Sequence, residues 1–301
     1  MRIARLLRKE PAGGRTNRET YGFVDGDGRR ISTRDDITFA TGVPIPRDIG
    51  QFLFGGWYDR IREMDVPYSA SVDEYAMLAP LPSPGKIACL AFNYVDHAEE
   101  QETAAPADPV LFIKPRTALT GTGSEIRCPD FVRQLDYEVE LAVVMGSACK
   151  NVDPQDAYGS VFGYMILNDV SARDIQFKDG QFTRGKGFDD FAPCGPWLTT
   201  ADEIADPQNL RLVTRVNGKV RQDSSTRMML LKIPHIISKL SAVMTLEPGD
   251  VIATGTPAGV ALKNPGVPYL EDGDTIEMEI EGLGSIRNTV RKVASAPHPA
   301  V

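Results

Sequence analysis

The stretch Asp136-Tyr137-Glu138-Val139-Glu140-Leu141-Ala142-Val143-Val144-Met145 sets the reading of the whole chain. On a strand, Glu138, Glu140, Ala142 and Val144 share one face, and Tyr137, Val139, Leu141, Val143 and Met145 share the other. Both faces are apolar beyond Glu140, the pattern of a strand covered on both sides. Two carboxylates then stand about 6.6–7 Å apart along one buried face. Like charges taken out of water need a proton, a cation or a metal. Spacing alone does not establish a site. Thr275-Ile276-Glu277-Met278-Glu279-Ile280-Glu281 alternates in the same way, but its acidic face stays acidic to the end, as on a half-solvated strand.

Around this strand lie further short apolar runs, at 87–92, 110–113, 161–167, 210–216, 251–254, 275–280 and 285–290. Each has strand length and is bounded by Gly, Pro, Asn or Asp. Asn217-Gly218 marks a hairpin turn. Helical periodicity is clear mainly over 228–244, with Pro234 near a start or a kink. Many strands and few helices predict a mostly-β domain with some α, not a doubly wound sheet. The first 80 residues read as a small α+β unit. It has a strand over 1–7, a hairpin over 21–33 turning at Asp25-Gly26-Asp27-Gly28, and a helix over 48–62. The Asp pair there lacks the ligand spacing of a calcium loop. Ala79-Pro80-Leu81-Pro82-Ser83-Pro84-Gly85 breaks regular structure. The expected division is therefore 1–80, a mostly-β domain over 81–293, and a loose tail over 294–301.

Composition narrows the class. The chain has 301 residues, 42% apolar and 25% charged, with 27 Gly, 22 Pro and a net charge of −8. An acidic chain of this kind counts against nucleic acid or an anionic membrane as partner. No run approaches the roughly 20 apolar residues of a membrane span, and the start lacks a signal-peptide core, so the expected location is cytoplasmic. Cys89, Cys128, Cys149 and Cys194 are more than 20 residues apart with no CxxC pair. That argues against a zinc–thiolate site and reads as free thiols in a reducing compartment.

Two further groups bear on chemistry. Asp169 ends the apolar run 161–167 after Asn168. It is placed either to reach the carboxylates of a neighbouring strand or to cap the next turn. Three carboxylates without Cys or His would select a hard cation, Mg²⁺, Mn²⁺ or Ca²⁺. His97 and Glu100 share a face if 93–100 is helical. A carboxylate beside an imidazole fixes its tautomer and raises its basicity, which suits a general base. A surface histidine on a polar turn is the competing reading.

These pieces occur in an order that resembles the fumarylacetoacetate hydrolase family. The matching stretches include Asn93-Tyr94-x-Asp96-His97-Ala98-x-Glu100, Leu111-Phe112-Ile113-Lys114-Pro115 and Asp136-Tyr137-Glu138-x-Glu140-Leu141. They continue with Asn168-Asp169-Val170-Ser171-Ala172-Arg173-Asp174-x-Gln176, Gly185-Lys186-Gly187-Phe188-Asp189 and Gly195-Pro196. Val216-Asn217-Gly218, the segment from Gly249 to Val260 and Glu281-Gly282-Leu283-Gly284 complete the series. The resemblance implies a mixed β-sandwich roll of that family's C-terminal type, usually a homodimer, preceded here by the small N-terminal α+β domain. It implies a divalent metal, usually Mg²⁺, on Glu138, Glu140 and Asp169. It implies a water-activating dyad, His97 and Glu100, on a mobile lid. Lys186 would add positive charge at the reacting oxygen, and Gln176, Thr256 and Lys114 would hold substrate. Arg173 would support Asp169 rather than touch substrate. The stretch 99–109 reads as the flexible lid.

The implied reaction is metal-dependent hydrolysis of a C–C bond in a 2,4-dioxo acid, an acylpyruvate such as fumarylpyruvate, with a pyruvate enolate as leaving group. Oxaloacetate decarboxylation and isomerisation of a 2-hydroxy-dienoate use the same metal site and are the alternatives. A non-catalytic metal-binding β-domain is a remote one, because a binder has no use for the His97–Glu100 pair.

Overall fold

The computed structural model describes residues 1–9, 19–102 and 108–295. The segment that opened the sequence reading forms the strand Val139–Met145, with all seven residues buried. It pairs antiparallel with Val161–Asn168 on one side and with Val251–Ala253 on the other. Val251–Ala253 then runs parallel to Ile87–Ala91, which pairs with Val110–Lys114. Beyond Val161–Asn168 the sheet continues through Ala192–Thr200 to Arg2–Arg8, Glu19–Val24 and Arg30–Thr33. Residues of the first 80 thus extend the same sheet, joined at Arg2↔Thr199 and Ile3↔Leu198.

A second sheet of five strands runs Lys219–Ser225, Arg211–Val216, Thr275–Ile280, Gly284–Val293 and Glu125–Pro129. Its inner side chains Leu212, Met278 and Ile286 share a core with Leu141, Val143 and Ile166 of the long sheet. The helix Ile233–Val243 adds Ile236, Ile237 and Leu240 to that core. On the other face of the long sheet, Ala142, Val144, Met165 and Leu167 pack with Phe23, Ile37, Phe52 and Ile61. The central strand is therefore apolar on both faces because it is covered on both. Each such side chain contributes about 1.5–3 kcal/mol of hydrophobic burial. The fold is mostly β with some α, as the sequence predicts. No helix of the described residues is long and apolar enough to cross a membrane.

Some local expectations hold and others meet a different structure. The region 48–62 is two helices, Ile49–Phe54 and Trp57–Ile61. Gly56 takes φ +76° between them, a left-handed conformation that interrupts the helical path. Pro234 lies in the first turn of Ile233–Val243, where its missing N–H costs no hydrogen bond. Ala192–Thr200, with Pro193, Gly195 and Pro196, is a fully buried nine-residue strand. Its pairing with Val161–Asn168 shifts register between Tyr164↔Thr199 and Ile166↔Gly195, so Pro196 falls where the ladder is irregular and its absent N–H breaks no regular bond there. Thr275–Ile280 is half-solvated, with Glu279 exposed and Glu277 partly so. Of the predicted tail, 296–301 lie outside the described residues, as do 103–107 of the predicted lid.

Candidate active site

Strand register brings the carboxylates together. Val139 pairs with Asn168, and the contact continues one residue outward. The Glu138 N–H donates to Asn168 Oδ1 at 3.1 Å, and the Asp169 N–H donates to the Glu138 carbonyl at 2.9 Å. Asp169 thereby lies beside Glu138, with Glu140 two residues along the same face. One oxygen from each of Glu138, Glu140 and Asp169 lies within 4.8 Å of the others, and all three residues are buried.

The cations around them are unevenly shared. Lys186 Nζ lies 2.7 Å from both Glu138 Oε2 and Asp169 Oδ2. Arg173 Nη2 lies 2.6 Å from Glu138 Oε1, and Arg173 Nε donates to Asp136 Oδ2 at 3.0 Å. Lys114 Nζ donates to Asp169 Oδ1 at 2.6 Å and to the Val170 carbonyl at 3.2 Å. Glu140 receives a backbone N–H, from Gly255 at 2.8 Å. The consequences for protonation differ in sign. Burial works to raise Glu138, but Arg173 and Lys186 outweigh it and hold the carboxyl well below the usual carboxylate range. Burial, then the charges of Asp169 and Glu138, push Glu140 well above it. Burial works to lower Lys186, yet Asp169 and Glu138 raise it. The trio thus holds one carboxylate short of countercharge, among oxygen donors alone. That donor set fits a hard divalent cation.

His97 arrives from the opposite side. Ile87–Ala91 ends at Phe92, whose φ of +56° turns the chain into the helix Val95–Glu100. Phe92 stacks on the His97 ring at 6.3 Å. Asp96 Oδ1 accepts the His97 N–H at 2.9 Å, while Ser224 Oγ donates to Asp96 Oδ2 at 2.7 Å. His97 Nδ1 lies 3.4 Å from Glu100 Oε2, and Glu100 Oε1 accepts the Gly259 N–H at 3.0 Å. Helical spacing does place the two on one face, and both are largely buried.

A cavity of about 130 Å³ is lined by His97, Glu138, Arg173, Gln176, Lys186 and Thr256, among others. A wider groove of about 940 Å³ runs past Arg2, Trp197, Glu277 and Glu281. It contains none of the groups just described, so the chemistry belongs to the smaller cavity. Gln176 Oε1 accepts from Arg173 Nη1 at 3.2 Å. Thr256 Oγ1 donates to the Val139 carbonyl at 2.9 Å and accepts from Gln222 Nε2 at 2.9 Å.

Two placements depart from expectation. Lys114 is bonded to Asp169 and, like Glu140 and Asp169 themselves, lies behind the residues that line the cavity. Arg173 supports Glu138 and Asp136 rather than Asp169, and it does line the cavity.

Sequence reasoning passed over Asp136 and Gln222, which hold the site's residues in place. Asp136 holds Arg173 and also accepts the N–H groups of Ala261 and Leu262, at 2.9 and 3.1 Å. Its only sequence signal is an acid just before a buried strand. Gln222 accepts the Val139 N–H at 3.1 Å from a strand with no motif of its own.

Comparison with known proteins agrees with this architecture. Residues 86–291 match the model of the fumarylacetoacetate hydrolase C-terminal domain. The chain is 42% identical over 219 residues to the mitochondrial oxaloacetate tautomerase of Homo sapiens, covering 72% of this chain and 70% of that one. The structure of 2-hydroxyhepta-2,4-diene-1,7-dioate isomerase from Mycobacterium marinum superposes with TM-score 0.74 at 36% identity, over 98% of this chain and 100% of that one. Fumarylacetoacetate hydrolase from the psychrophile Exiguobacterium antarcticum gives TM-score 0.79 at 38% identity, over 96% and 100%. The chain belongs to the fumarylacetoacetate hydrolase family, whose members are enzymes.

Proposed function

We propose that this protein moves a proton at C3 of a small 2-oxo diacid, interconverting its enol and keto forms, with a divalent cation, Mg²⁺ first, on Glu138, Glu140 and Asp169. The grouping of side chains carries this reading: one cavity brings together Glu138 of the carboxylate trio, His97 and Lys186, a base and a fixed positive charge beside a place for a cation. Two of the relatives are named for reactions of this kind, a tautomerase and an isomerase. A divalent cation bound there would polarise the 2-oxo group.

The chain's own residues supply the rest. His97 Nδ1 faces Glu100, which leaves Nε2 to take a proton from C3 or return one. Glu100 steadies the imidazolium that forms. Lys186, fixed between Glu138 and Asp169, keeps an ammonium beside the oxygen on which negative charge grows.

The His97–Glu100 pair supports a second reading, hydrolysis of an acylpyruvate. His97 would take a proton from water, the water oxygen would add to the distal carbonyl, and the C3–C4 bond would break to give pyruvate and a carboxylic acid. One assay separates the reactions. Mg²⁺-loaded protein is given enol oxaloacetate, fumarylpyruvate and a 2-hydroxy-dienoate, and enol absorbance, pyruvate and CO₂ are followed. Loss of enol absorbance from oxaloacetate without pyruvate supports the tautomerase. Pyruvate with an acid product supports the hydrolase, and pyruvate with CO₂ a decarboxylase. No reaction with any substrate, and no effect of EDTA, overturns both readings.

A further inference from the structure

We propose that Lys263 reads the distal carboxylate of the substrate and so selects diacids over monoacids, an inference that rests on the 2-oxo acid reading of this cavity. Three fixed cations line the cavity: Arg173, Lys186 and Lys263. Arg173 is paired with Asp136 and Glu138, and Lys186 with Glu138 and Asp169. Lys263 has no carboxylate partner among the described residues. Lys263 is exposed at the rim, and its Nζ donates to the carbonyl of Gln101 at 2.7 Å, a neutral group that leaves two ammonium hydrogens for a ligand.

The position is built. Lys263 holds φ +56°, a left-handed conformation that lysine rarely adopts. The residues before it are pinned there, because Asp136 accepts the N–H groups of both Ala261 and Leu262. Gln101 Nε2 donates to the Leu262 carbonyl at 3.1 Å, and Gln101 directly follows the helix that carries His97 and Glu100. The same carboxylate of Asp136 also holds Arg173. One buried acid thus sets the spacing between the Arg173–Glu138 end of the cavity and the unpaired ammonium at its edge. A ligand fixed at the trio by its 2-oxo acid end would present a second carboxylate to Lys263, and a charge-assisted hydrogen bond would form.

The test compares oxaloacetate with its 4-methyl ester, which lacks the distal charge. For Lys263→Met, the ratio of kcat/KM for oxaloacetate over that for the ester should fall about tenfold or more, and Lys263→Arg should recover most of it. A lysine that merely ties the loop to Gln101 would lower both substrates together and leave the ratio intact, which overturns the proposal. Calorimetry gives a readout independent of turnover: Mg²⁺-loaded wild type and Lys263→Met are titrated with 2-oxoglutarate and 2-oxobutyrate. A loss of affinity confined to the diacid supports the assignment even if no enol chemistry is found. Equal affinities in the two proteins, or no binding of either acid to wild type, overturn it.

Discussion

Arg173 and Glu138 meet at 2.6 Å between Nη2 and Oε1, so a carboxylate proposed to hold a metal already carries a guanidinium. Both residues are buried, as is Asp136 on the other side of Arg173. Arg173→Met leaves Asp136 without a cation and Glu138 with Lys186 alone, and breaking a buried pair by removing one partner costs about 3–5 kcal/mol. Arg173→Lys keeps the charge but not the fork that serves two carboxylates at once, so it should recover part of that loss. Urea midpoints of the three proteins measure this. A loss under about 1 kcal/mol in Arg173→Met, the range of an exposed pair, would show that the guanidinium is not what balances Glu138.

Glu140 is the member of the trio whose charge is least compensated. Burial, then Asp169 and Glu138, raise its carboxyl well above the ordinary range. Glu140→Gln removes that repulsion, so the metal-free variant should be as stable as wild type or more so. Its response to Mg²⁺ should disappear. In wild type a ligand at about 100 times its Kd adds roughly 2.7 kcal/mol. Denaturation with Mg²⁺ and with EDTA reads both effects, and equal Mg²⁺ stabilisation of the two proteins would remove Glu140 from the ligand set.

What the sequence shows of this site follows strand alternation and stops where register takes over. Glu138 and Glu140 were legible because both strand faces turn apolar after them. Asp169 was ambiguous between ligand and cap, since only the pairing of Val139 with Asn168 sets it beside Glu138. A second short pairing, Leu135 with Ala172 and Asp136 with Ser171, sets Arg173 beside Asp136 and Glu138, and sequence does not show it. Gln222 was illegible for a related reason. Val251–Ala253 pairs with Ala142, Val143 and Val144 only, so Val139 has no strand partner on that side. Gln222, distant in sequence, accepts its N–H, meeting a demand that backbone accounting predicts without naming the donor's partner. Ala192–Thr200 is hard to read as a strand because Pro193, Gly195 and Pro196 are residues that the inside of a strand seldom accepts.

His97 and Glu100 separate the two proposed reactions. General acid–base catalysis contributes about 10²–10⁴ in rate, so His97→Asn should lower kcat for either reaction by that order. Glu100→Gln keeps an acceptor for the Gly259 N–H but removes the charge facing Nδ1. Water activation, which leaves an imidazolium during attack, should suffer more from this change than proton return to an enol. A fall in fumarylpyruvate hydrolysis at least tenfold larger than the fall in oxaloacetate ketonisation is expected. Equal losses would mean that the charge facing Nδ1 serves both reactions alike, and no loss in either would leave Glu100 only its hold on the Gly259 N–H.

Gly255 links the two halves of the site through its backbone. Its N–H holds Glu140 Oε2 at 2.8 Å, its φ is +93°, and an added Cβ would lie 2.9 Å from Asn93 Cβ. Asn93 cannot step aside. Its side chain donates to the Thr254 carbonyl at 2.8 Å and accepts the Leu231 N–H at 2.8 Å, and its carbonyl accepts the Leu230 N–H at 2.7 Å. Gly255→Ala therefore combines backbone strain, about 1–3 kcal/mol, with a clash against a fixed residue four positions before His97. The N–H must shift off Glu140, so Mg²⁺ affinity should fall along with stability. Gly26 supplies the control, because a Cβ there meets nothing within 4 Å. Gly26→Ala should leave Mg²⁺ binding unchanged and stability within about 1 kcal/mol. If Gly255→Ala behaves like Gly26→Ala in an Mg²⁺ titration, Gly255 does not position Glu140, and the metal trio is held by strand register alone.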